Sequence, residues 1–227
     1  MQTIAERLIS AYGRIDQATA SAHRPPKSVQ LLAVSKTKPV SDIKLAYEAG
    51  QRSFGENYVQ EGIDKIQQLQ AYSDIEWHLI GPLQSNKTKV VAEHFHWVQS
   101  VDREKIARRL NDQRPSSLPP LQVCIQLNID EEDSKAGILP VELPGLLDAI
   151  TAMERLQLRG LMAIPKADAA PSAQAETLAQ LAKLFAQYRT KLSNFDTLSV
   201  GMSGDMEEAI QHGSTMVRIG SAIFGSR

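Results

Sequence analysis

The chain has 227 residues, 42% of them hydrophobic and 22% charged, which is the size and composition of one large domain with a sizeable core. Its 25 basic and 26 acidic residues give a net charge of −1, which excludes the overall attraction to nucleic acids or membrane surfaces that a strongly basic chain has. The single cysteine, Cys124, excludes an internal disulfide and fits a reducing cytoplasm, where we expect the protein to reside.

The N-terminal segment predicts an amphipathic helix rather than a secretion signal. Ile4, Leu8, Tyr12 and Ile15 are three or four residues apart, which places them on one helical face. Charged residues stand among the apolar ones, so the segment lacks the apolar centre of a signal peptide. No apolar stretch elsewhere approaches the length that crosses a bilayer.

Eight short strand-like runs follow, and helix-like runs separate them. We predict strands at residues 30–36, 53–56, 76–81, 97–101, 121–129, 157–164, 197–201 and 215–219. We predict helices between them at residues 41–49, 58–70, 85–94, 103–113, 141–153, 173–192 and 206–212. The regular alternation indicates a parallel sheet with helices on its outside.

Eight such units predict a closed barrel. We therefore expect an α/β fold, a single (β/α)8 TIM barrel domain over residues 1–227 with an extra N-terminal helix, although the length is slightly short for this fold. An open doubly wound sheet of six units is the alternative. It is disfavoured because no G-x-G-x-x-G motif follows the first strand.

Lys36 ends the first predicted strand, and functional groups of such barrels lie at the carboxyl ends of the strands. An amine at the mouth of an apolar barrel is partly desolvated, which favours its neutral form, and a neutral amine forms a Schiff base with an aldehyde. The alternative is a lysine that simply reaches solvent. The same rule selects Asn57, Met162, Ser199 and Arg218.

Two glycine- and serine-rich segments, residues 199–205 and 218–221, predict a phosphate site. Helix N-termini and glycine backbones favour phosphate, and barrels often bind it after strands seven and eight. Arg218 adds a positive charge at this site, or it faces a ring nitrogen of the bound ligand. The groups that could donate hydrogen bonds to phosphate oxygens are Ser203, Gly220 and Ser221. Ordinary turn chemistry is the alternative explanation.

Seven segments resemble the YggS/PROSC family, whose members are called pyridoxal 5′-phosphate (PLP) homeostasis or PLP-binding proteins. The resemblance covers nearly the whole chain in order. The segments are AVSKTKP at 33–39, FGENYVQE at 54–61, WHLIGPLQSNK at 77–87, EEDSKAGI at 131–138, LMAIP at 161–165, LSVGMSGD at 198–205 and STMVRIGSAIFG at 214–225.

The resemblance implies a fold-type III barrel like the N-terminal domain of alanine racemase, with PLP as cofactor in an internal aldimine, a Schiff base, at Lys36. The groups it implies near the phosphate are Ser203, Gly220 and Ser221, with Arg218 nearby. The further residues it implies around the cofactor are Asn57, His78, Met162, Ser199 and Met202. Without the resemblance, His78 fits a hydrogen-bonded core histidine better. Gly204 stands where alanine is frequent in the family.

The resemblance favours binding over turnover. Alanine racemases carry a further β domain that supplies a tyrosine as the second acid or base, and we expect no such domain here because the chain ends just after the eighth strand. An arginine near the PLP ring nitrogen would make the ring a poor electron sink. We therefore expect a protein of vitamin B6 and amino-acid homeostasis that carries PLP, has no catalytic residue and no metal site, and releases PLP by amine exchange at Lys36.

Three alternatives remain open. The main one is a fold-type III PLP enzyme such as an amino-acid racemase. The second is a Schiff-base aldolase that uses Lys166, near the end of the sixth strand. The third is a regulatory interaction module with PLP as its signal. PLP-dependent enzymes or a regulatory protein are the candidate partners, nucleic acid and membranes are not, and we expect a monomer.

Overall fold

The computed structural model describes residues 2–132, 136–166 and 170–225. Its strands are β1 (Gln30–Val34), β2 (Ser53–Glu56), β3 (Glu76–Leu79), β4 (Trp97–Val101), β5 (Leu121–Leu127), β6 (Leu156–Ala163), β7 (Thr197–Ser199) and β8 (Met216–Ile219). They form a closed barrel in chain order, and each strand pairs in parallel with both neighbours, including β8 with β1. The predicted (β/α)8 barrel is confirmed.

Helices follow the strands, as the alternation predicts. In the described ranges they are α1 (Ile4–Ser21), α2 (Val40–Glu48), α3 (Val59–Gln68), α4 (Thr88–His94), α5 (Glu104–Gln113), α6 (Leu143–Thr151), α7 (Pro171–Arg189), α8 (Met206–Gln211) and α9 (Ser221–Phe224). One-turn 3-10 helices at Ser85–Lys87 and Pro140–Glu142 precede α4 and α6. Within these ranges, no helix has both the length and the apolar character that crossing a membrane requires.

The N-terminal helix α1 is the predicted amphipathic helix. Thr3 caps its first turn by accepting a hydrogen bond from the Glu6 backbone N–H, and the Glu6 carboxylate accepts one from the Thr3 N–H in return. Its apolar face, which includes Leu8, Ala11 and Ile15, is buried. The helix packs against α2, α8 and α9, so its polar side chains come close to the loops that follow β7 and β8.

The interior of the barrel holds polar as well as apolar side chains. Gln99 of β4 contacts Ser199 of β7 and Met216 of β8, and strands that are not neighbours can meet in this way only through the inside of the barrel. Trp97, Cys124 and Met162 form an apolar cluster separate from the main core. The barrel is therefore filled by side chains, with its polar groups hydrogen-bonded to each other.

The predicted boundaries are least accurate at the carboxyl ends of the strands. β1 ends at Val34 rather than Lys36, because the chain turns there: the Lys38 N–H donates to the Ser35 carbonyl at 3.1 Å. β7 ends at Ser199 rather than Gly201. The sequence does not predict α9, since four residues are too few to show a helical period.

Candidate functional site

A cavity of about 370 Å³ opens at the carboxyl ends of the strands, where the sequence places the site. Seven of the ten predicted site residues line it: Lys36, Asn57, Met202, Ser203, Arg218, Gly220 and Ser221. The further lining residues are Val34, Thr37, Lys38, Ile80, Ile164, Gly204 and Gly225. The apolar side chains of this second group, Val34, Ile80 and Ile164, are not among those ten.

Lys36 lies on a tight turn at the rim of the cavity. The strand hydrogen bonding continues through the Ser35 N–H, which donates to the Gly55 carbonyl at 3.0 Å, and the Lys38 N–H then closes the turn on the Ser35 carbonyl. Thr37 has a φ of 63°, a left-handed conformation that β-branched residues rarely adopt. The half-buried Lys36 side chain therefore starts from a constrained backbone and lines the cavity.

The two predicted glycine- and serine-rich loops, which follow β7 and β8, also line the cavity. In the first loop the Met202 N–H donates to Asp205 Oδ1 at 2.6 Å. Arg14 of α1 reaches the same loop, donating to the Ser203 carbonyl at 3.1 Å. In the second loop Gly220 precedes α9, whose first N–H groups have no carbonyl partner within the helix. These groups and the hydroxyls of both loops form a set of hydrogen-bond donors.

Arg218 supplies the buried positive charge of the site. Its guanidinium donates to the Ser199 carbonyl at 2.7 Å, to Ser199 Oγ at 2.8 Å and to the Ala163 carbonyl at 2.9 Å. The side chain is thus tied to the ends of β6 and β7. Burial lowers the pKa of Arg218 to about 10, partly offset by the charge of Asp205, so the group remains cationic at neutral pH.

A chain of hydrogen bonds leads from Arg218 down the inside of the barrel. Ser199 Oγ accepts from Arg218 and donates to Gln99 Oε1 at 2.7 Å. Gln99 Nε2 donates to His78 Nδ1 at 2.9 Å, and His78 Nε2 lies 2.8 Å from Glu76 Oε1. Because an amide nitrogen only donates, Nδ1 of His78 accepts, and its proton lies on Nε2. The hydrogen bonds of this series therefore all run in the same direction, from Arg218 at the cavity to the carboxylate of Glu76 at the other end of β3, which accepts the last one.

Three predicted site residues do not line the cavity but lie below it. His78 stacks on Trp97 with ring centroids 5.0 Å apart, Met162 belongs to the Trp97 cluster, and Ser199 supports Arg218. Ile80 and Ile164 line the cavity in their place, two residues after His78 and Met162. Period-two alternation puts both members of each pair on the same face, so the sequence pattern is consistent with the right face but misses the depth.

Asn57 is placed by a close approach of two backbones. A Cβ on Gly81 would lie 2.0 Å from the Asn57 carbonyl oxygen, so only glycine fits after β3. Ser100 Oγ donates to the Gly81 carbonyl at 2.6 Å and fixes that contact from below. A side recess of about 200 Å³ adjoins the cavity here and shares Asn57, Ile80 and Ile164 with it.

The alternative lysine, Lys166, lies elsewhere. It is exposed, its Nζ is 3.5 Å from Glu132 Oε1, and it does not line the cavity. Residues 133–135 of the resembling segment 131–138 lie outside the described residues. The ionisable side chains that line the cavity in the described ranges are Lys36, Lys38 and Arg218, all of them basic.

Comparisons with known proteins identify the family of the chain. Residues 14–227 match the family model of the alanine racemase N-terminal domain. The chain is 55% identical over 229 residues to the pyridoxal phosphate homeostasis protein of Escherichia coli (strain K12), covering 100% of this chain and 98% of that protein. It is 52% identical over 227 residues to the protein of the same name in Pseudomonas aeruginosa, with 100% and 97% covered.

Solved structures give the same result. The fold is similar to that of PipY from Synechococcus elongatus PCC7942 with PLP bound, with a TM-score of 0.83, 37% identity, and 98% of this chain and 100% of that chain covered. Alanine racemase from Corynebacterium glutamicum shares the fold at a TM-score of 0.73 and 15% identity, with 99% of this chain but 61% of that chain covered. The chain therefore belongs to the alanine racemase N-terminal domain family and, within it, to the family of pyridoxal phosphate homeostasis proteins.

Proposed function

We propose that this protein is a PLP-binding protein of PLP homeostasis, which holds PLP through Lys36 and does not turn over a substrate. The observation that carries the proposal is that one cavity is lined both by Lys36 and by the two glycine- and serine-rich loops at residues 199–205 and 218–221, here called the phosphate-type loops. Lys36 and these loops come from opposite ends of the sequence. The names of the relatives and the PLP bound to PipY support the same ligand.

The residues of the cavity fit PLP in size and chemistry. A volume of about 370 Å³ lies within the range of small-molecule sites. PLP carries an aldehyde, a phosphate and a pyridine ring, and the cavity offers an amine, a set of N–H and hydroxyl donors, and apolar side chains. We assign Ser203, Gly220 and Ser221 to the phosphate, Arg218 to the ring nitrogen, and Asn57, Met202 and Ile80 to the surroundings of the ring.

Lys36 forms the covalent bond in this proposal. Lys36 would supply the amine and PLP the aldehyde for a condensation that releases one water molecule, in which a C=N bond replaces the C=O bond without oxidation or reduction. The bond is reversible, and another amine that displaces Lys36 releases the ligand. The side recess next to Asn57 offers space for such an amine.

The ionisable groups of the cavity support binding rather than racemisation. A racemase needs one proton-transfer group on each face of the substrate carbon. Lys36 and Lys38 lie on the same turn, and Arg218 is held in its charged form by its hydrogen bonds. A cation beside the ring nitrogen also opposes protonation of the ring, which weakens it as an electron sink. In this proposal Ser199 holds Arg218 directly, and His78 acts on it only through Gln99 and Ser199. Met162 packs with Trp97 and Cys124 outside the cavity lining.

The proposed function includes a cellular location, an oligomeric state and a class of partners. We propose that it acts in the cytoplasm as a monomeric single domain and passes PLP to PLP-dependent enzymes by amine exchange. The single buried cysteine, which is free, supports this location. A regulatory protein that responds to PLP loading is the other candidate partner.

The test is the visible absorption of the purified protein beside Lys36→Ala, before and after borohydride reduction. Wild type incubated with PLP is expected to show a band above 400 nm (roughly, for a protonated C=N bond to PLP) that reduction abolishes, with the label on the Lys36 peptide by mass spectrometry. Lys36→Ala is expected to lack the band. A wild type that cannot be loaded, or that racemises amino acids at rates of about 1–1000 per second, contradicts the proposal.

A further inference from the structure

A buried cluster of charged side chains lies on the outer side of the turn that carries Lys36. Lys65 of α3 has a side chain only 6% exposed, and its Nζ lies 2.8 Å from Glu56 Oε1 and 2.7 Å from Glu61 Oε1. The third hydrogen bond of this ammonium group goes to the Ser35 carbonyl at 2.7 Å. All three donors of the lysine are therefore used, two on carboxylates and one on the residue that precedes Lys36.

The cluster holds the turn on both sides of Lys36. Ser35 Oγ donates to Glu56 Oε1 at 2.6 Å, so the side chain of Ser35 is bound as well as its carbonyl. The Thr37 N–H donates to Glu61 Oε1 at 2.5 Å. This contact fixes the residue whose left-handed backbone makes the turn possible. The residues before and after Lys36 are thus attached to one charged cluster, while Lys36 itself faces the cavity.

Stability alone is a poor explanation of this arrangement. The desolvation of buried charges offsets most of the attraction between them, so buried ion pairs contribute little net stability compared with apolar packing. Here two carboxylates share one ammonium group, and Glu56 Oε2 is buried without a hydrogen-bond partner among the described residues. Such a costly cluster is better explained by what it holds, which is the backbone at Lys36.

We propose that Lys65, Glu56 and Glu61 are positioning residues for Lys36: they hold the turn so that the amine stands at the aldehyde of bound PLP. This inference rests on the proposed function. None of the three side chains lines the cavity, so they act through the Ser35 and Thr37 backbone and not by contact with the ligand. Holding an amine in the correct geometry raises its effective concentration at the aldehyde.

The inference predicts that the cluster affects formation of the covalent bond to Lys36 and not the noncovalent binding of the phosphate and the ring. The proposed phosphate groups lie in the loops after β7 and β8, whereas the cluster lies between β1, β2 and α3. A looser Lys36 turn should therefore slow formation of the C=N bond and weaken PLP binding, but leave phosphate and ring contacts unchanged. A ligand without an aldehyde reports on those contacts alone.

The experiment compares PLP with 4′-deoxypyridoxine 5′-phosphate, which lacks the aldehyde and cannot bond to lysine. The first variant is Lys65→Met, which keeps roughly the length of the side chain and removes its charge. The second is Glu61→Gln, which keeps the size of a side chain that is 25% exposed. Lys105→Met, an exposed lysine on α5, is the matched control. The dissociation constant for each ligand and the rate of appearance of the visible band are measured for every protein.

Lys65→Met is expected to slow covalent capture and weaken PLP binding by at least about tenfold, with 4′-deoxypyridoxine 5′-phosphate affected less than about twofold. Glu61→Gln should show the same selectivity with a smaller loss, and it decides the matter if Lys65→Met does not fold. Equal losses for both ligands, or no loss for either, overturn the inference. A wild type that never forms the band contradicts the proposed function instead, because the comparison then has no covalent step to report.

Discussion

The side-chain amide of Gln99 donates a hydrogen bond of 2.9 Å to Nδ1 of His78 inside the barrel. This bond fixes the histidine as the neutral form with its proton on Nε2, which faces Glu76. On its other side, Gln99 accepts from Ser199, and Ser199 accepts from Arg218. The orientation of the cavity arginine is therefore connected to a carboxylate at the far end of the barrel through groups that never touch the cavity.

Replacement of Gln99 tests this connection. Gln99→Leu leaves His78 Nδ1 without its donor and Ser199 Oγ without its acceptor, and a buried polar group without a partner costs roughly 1–3 kcal/mol. We expect the free energy of unfolding of the ligand-free protein, measured in urea, to fall by about that amount for at least one such group. The exposed Gln67→Leu serves as control.

A double-mutant cycle with Ser199→Ala sharpens this test. If the two residues act through one chain, the losses should be less than additive, because Ser199→Ala removes one of the groups that Gln99→Leu strands. Additive losses would show that Gln99 and Ser199 do not act through one series of hydrogen bonds.

The pH dependence of stability follows from the same histidine. Burial lowers the pKa of His78, partly offset by its hydrogen bond to Glu76. The unfolded chain therefore takes up a proton, below a pH of about 6.5, that the folded chain does not bind at this site. The free energy of unfolding should be constant above that pH and fall below it, by up to about 1.4 kcal/mol per pH unit for this residue.

His96 adds to this dependence, because burial lowers its pKa as well. His78→Asn should remove only one of the two contributions, so urea unfolding between about pH 5 and pH 8 should give a shallower fall than in wild type. The slope is the readout, since the variant is less stable at every pH. An unchanged slope would mean that His78 takes up its proton with the same pKa in the folded and the unfolded protein.

The sequence predicts the barrel and most of the cavity because both depend on local patterns. Strand–helix alternation and the rule that sites lie at carboxyl strand ends place Lys36, Ser203 and Gly220 around one opening, as the structure does. Period two assigns His78 to the interior but cannot assign its depth, which depends on where β3 ends. Because β3 ends at Leu79, Ile80 and not His78 lines the cavity.

The same reasoning does not predict the charged cluster of Lys65, Glu56 and Glu61. Glu61 and Lys65 are four residues apart on α3, a spacing that also describes ordinary exposed helical pairs. Whether this pair faces solvent or the Lys36 turn depends on the rotation of α3 against β1 and β2, which no sequence spacing determines. Only the tertiary structure brings Glu56 to the same ammonium group.

Two glycines of the phosphate-type loops should respond differently to an added methyl group. A Cβ at Gly220 would lie 3.1 Å from the Val34 carbonyl and 3.4 Å from Val34 Cβ, so β1 would have to shift next to Lys36. A Cβ at Gly204 meets no atom within 4 Å. We expect Gly220→Ala to weaken PLP binding by about tenfold and Gly204→Ala by less than about twofold, in fluorescence titrations. Similar effects of both substitutions would place the tight contact elsewhere.

Arg14 should hold the first of these loops from outside the barrel. It donates to the Ser203 carbonyl at 3.1 Å and to Glu207 Oε1 at 2.8 Å. Because both side chains of this pair are more than a third exposed, the ion pair itself adds little stability, and the hydrogen bond to the loop is the main contribution. Arg14→Met should therefore reduce affinity for PLP by roughly two- to tenfold, the equivalent of about one hydrogen bond.

The phosphate is the group that this loop is proposed to bind, so the loss in Arg14→Met should depend on it. Affinity for 4′-deoxypyridoxine 5′-phosphate should fall as much as affinity for PLP, whereas weak binding of pyridoxal, which has no phosphate, should not change. Arg108→Met, which removes an exposed helical pair with Glu104, is the control and should leave all three affinities unchanged. A loss that is equal for pyridoxal would assign Arg14 to the stability of α1 and α8 and not to the loop. Because Lys65→Met is expected to spare the aldehyde-free ligand, the two variants together separate the groups that bind the phosphate from those that place the amine.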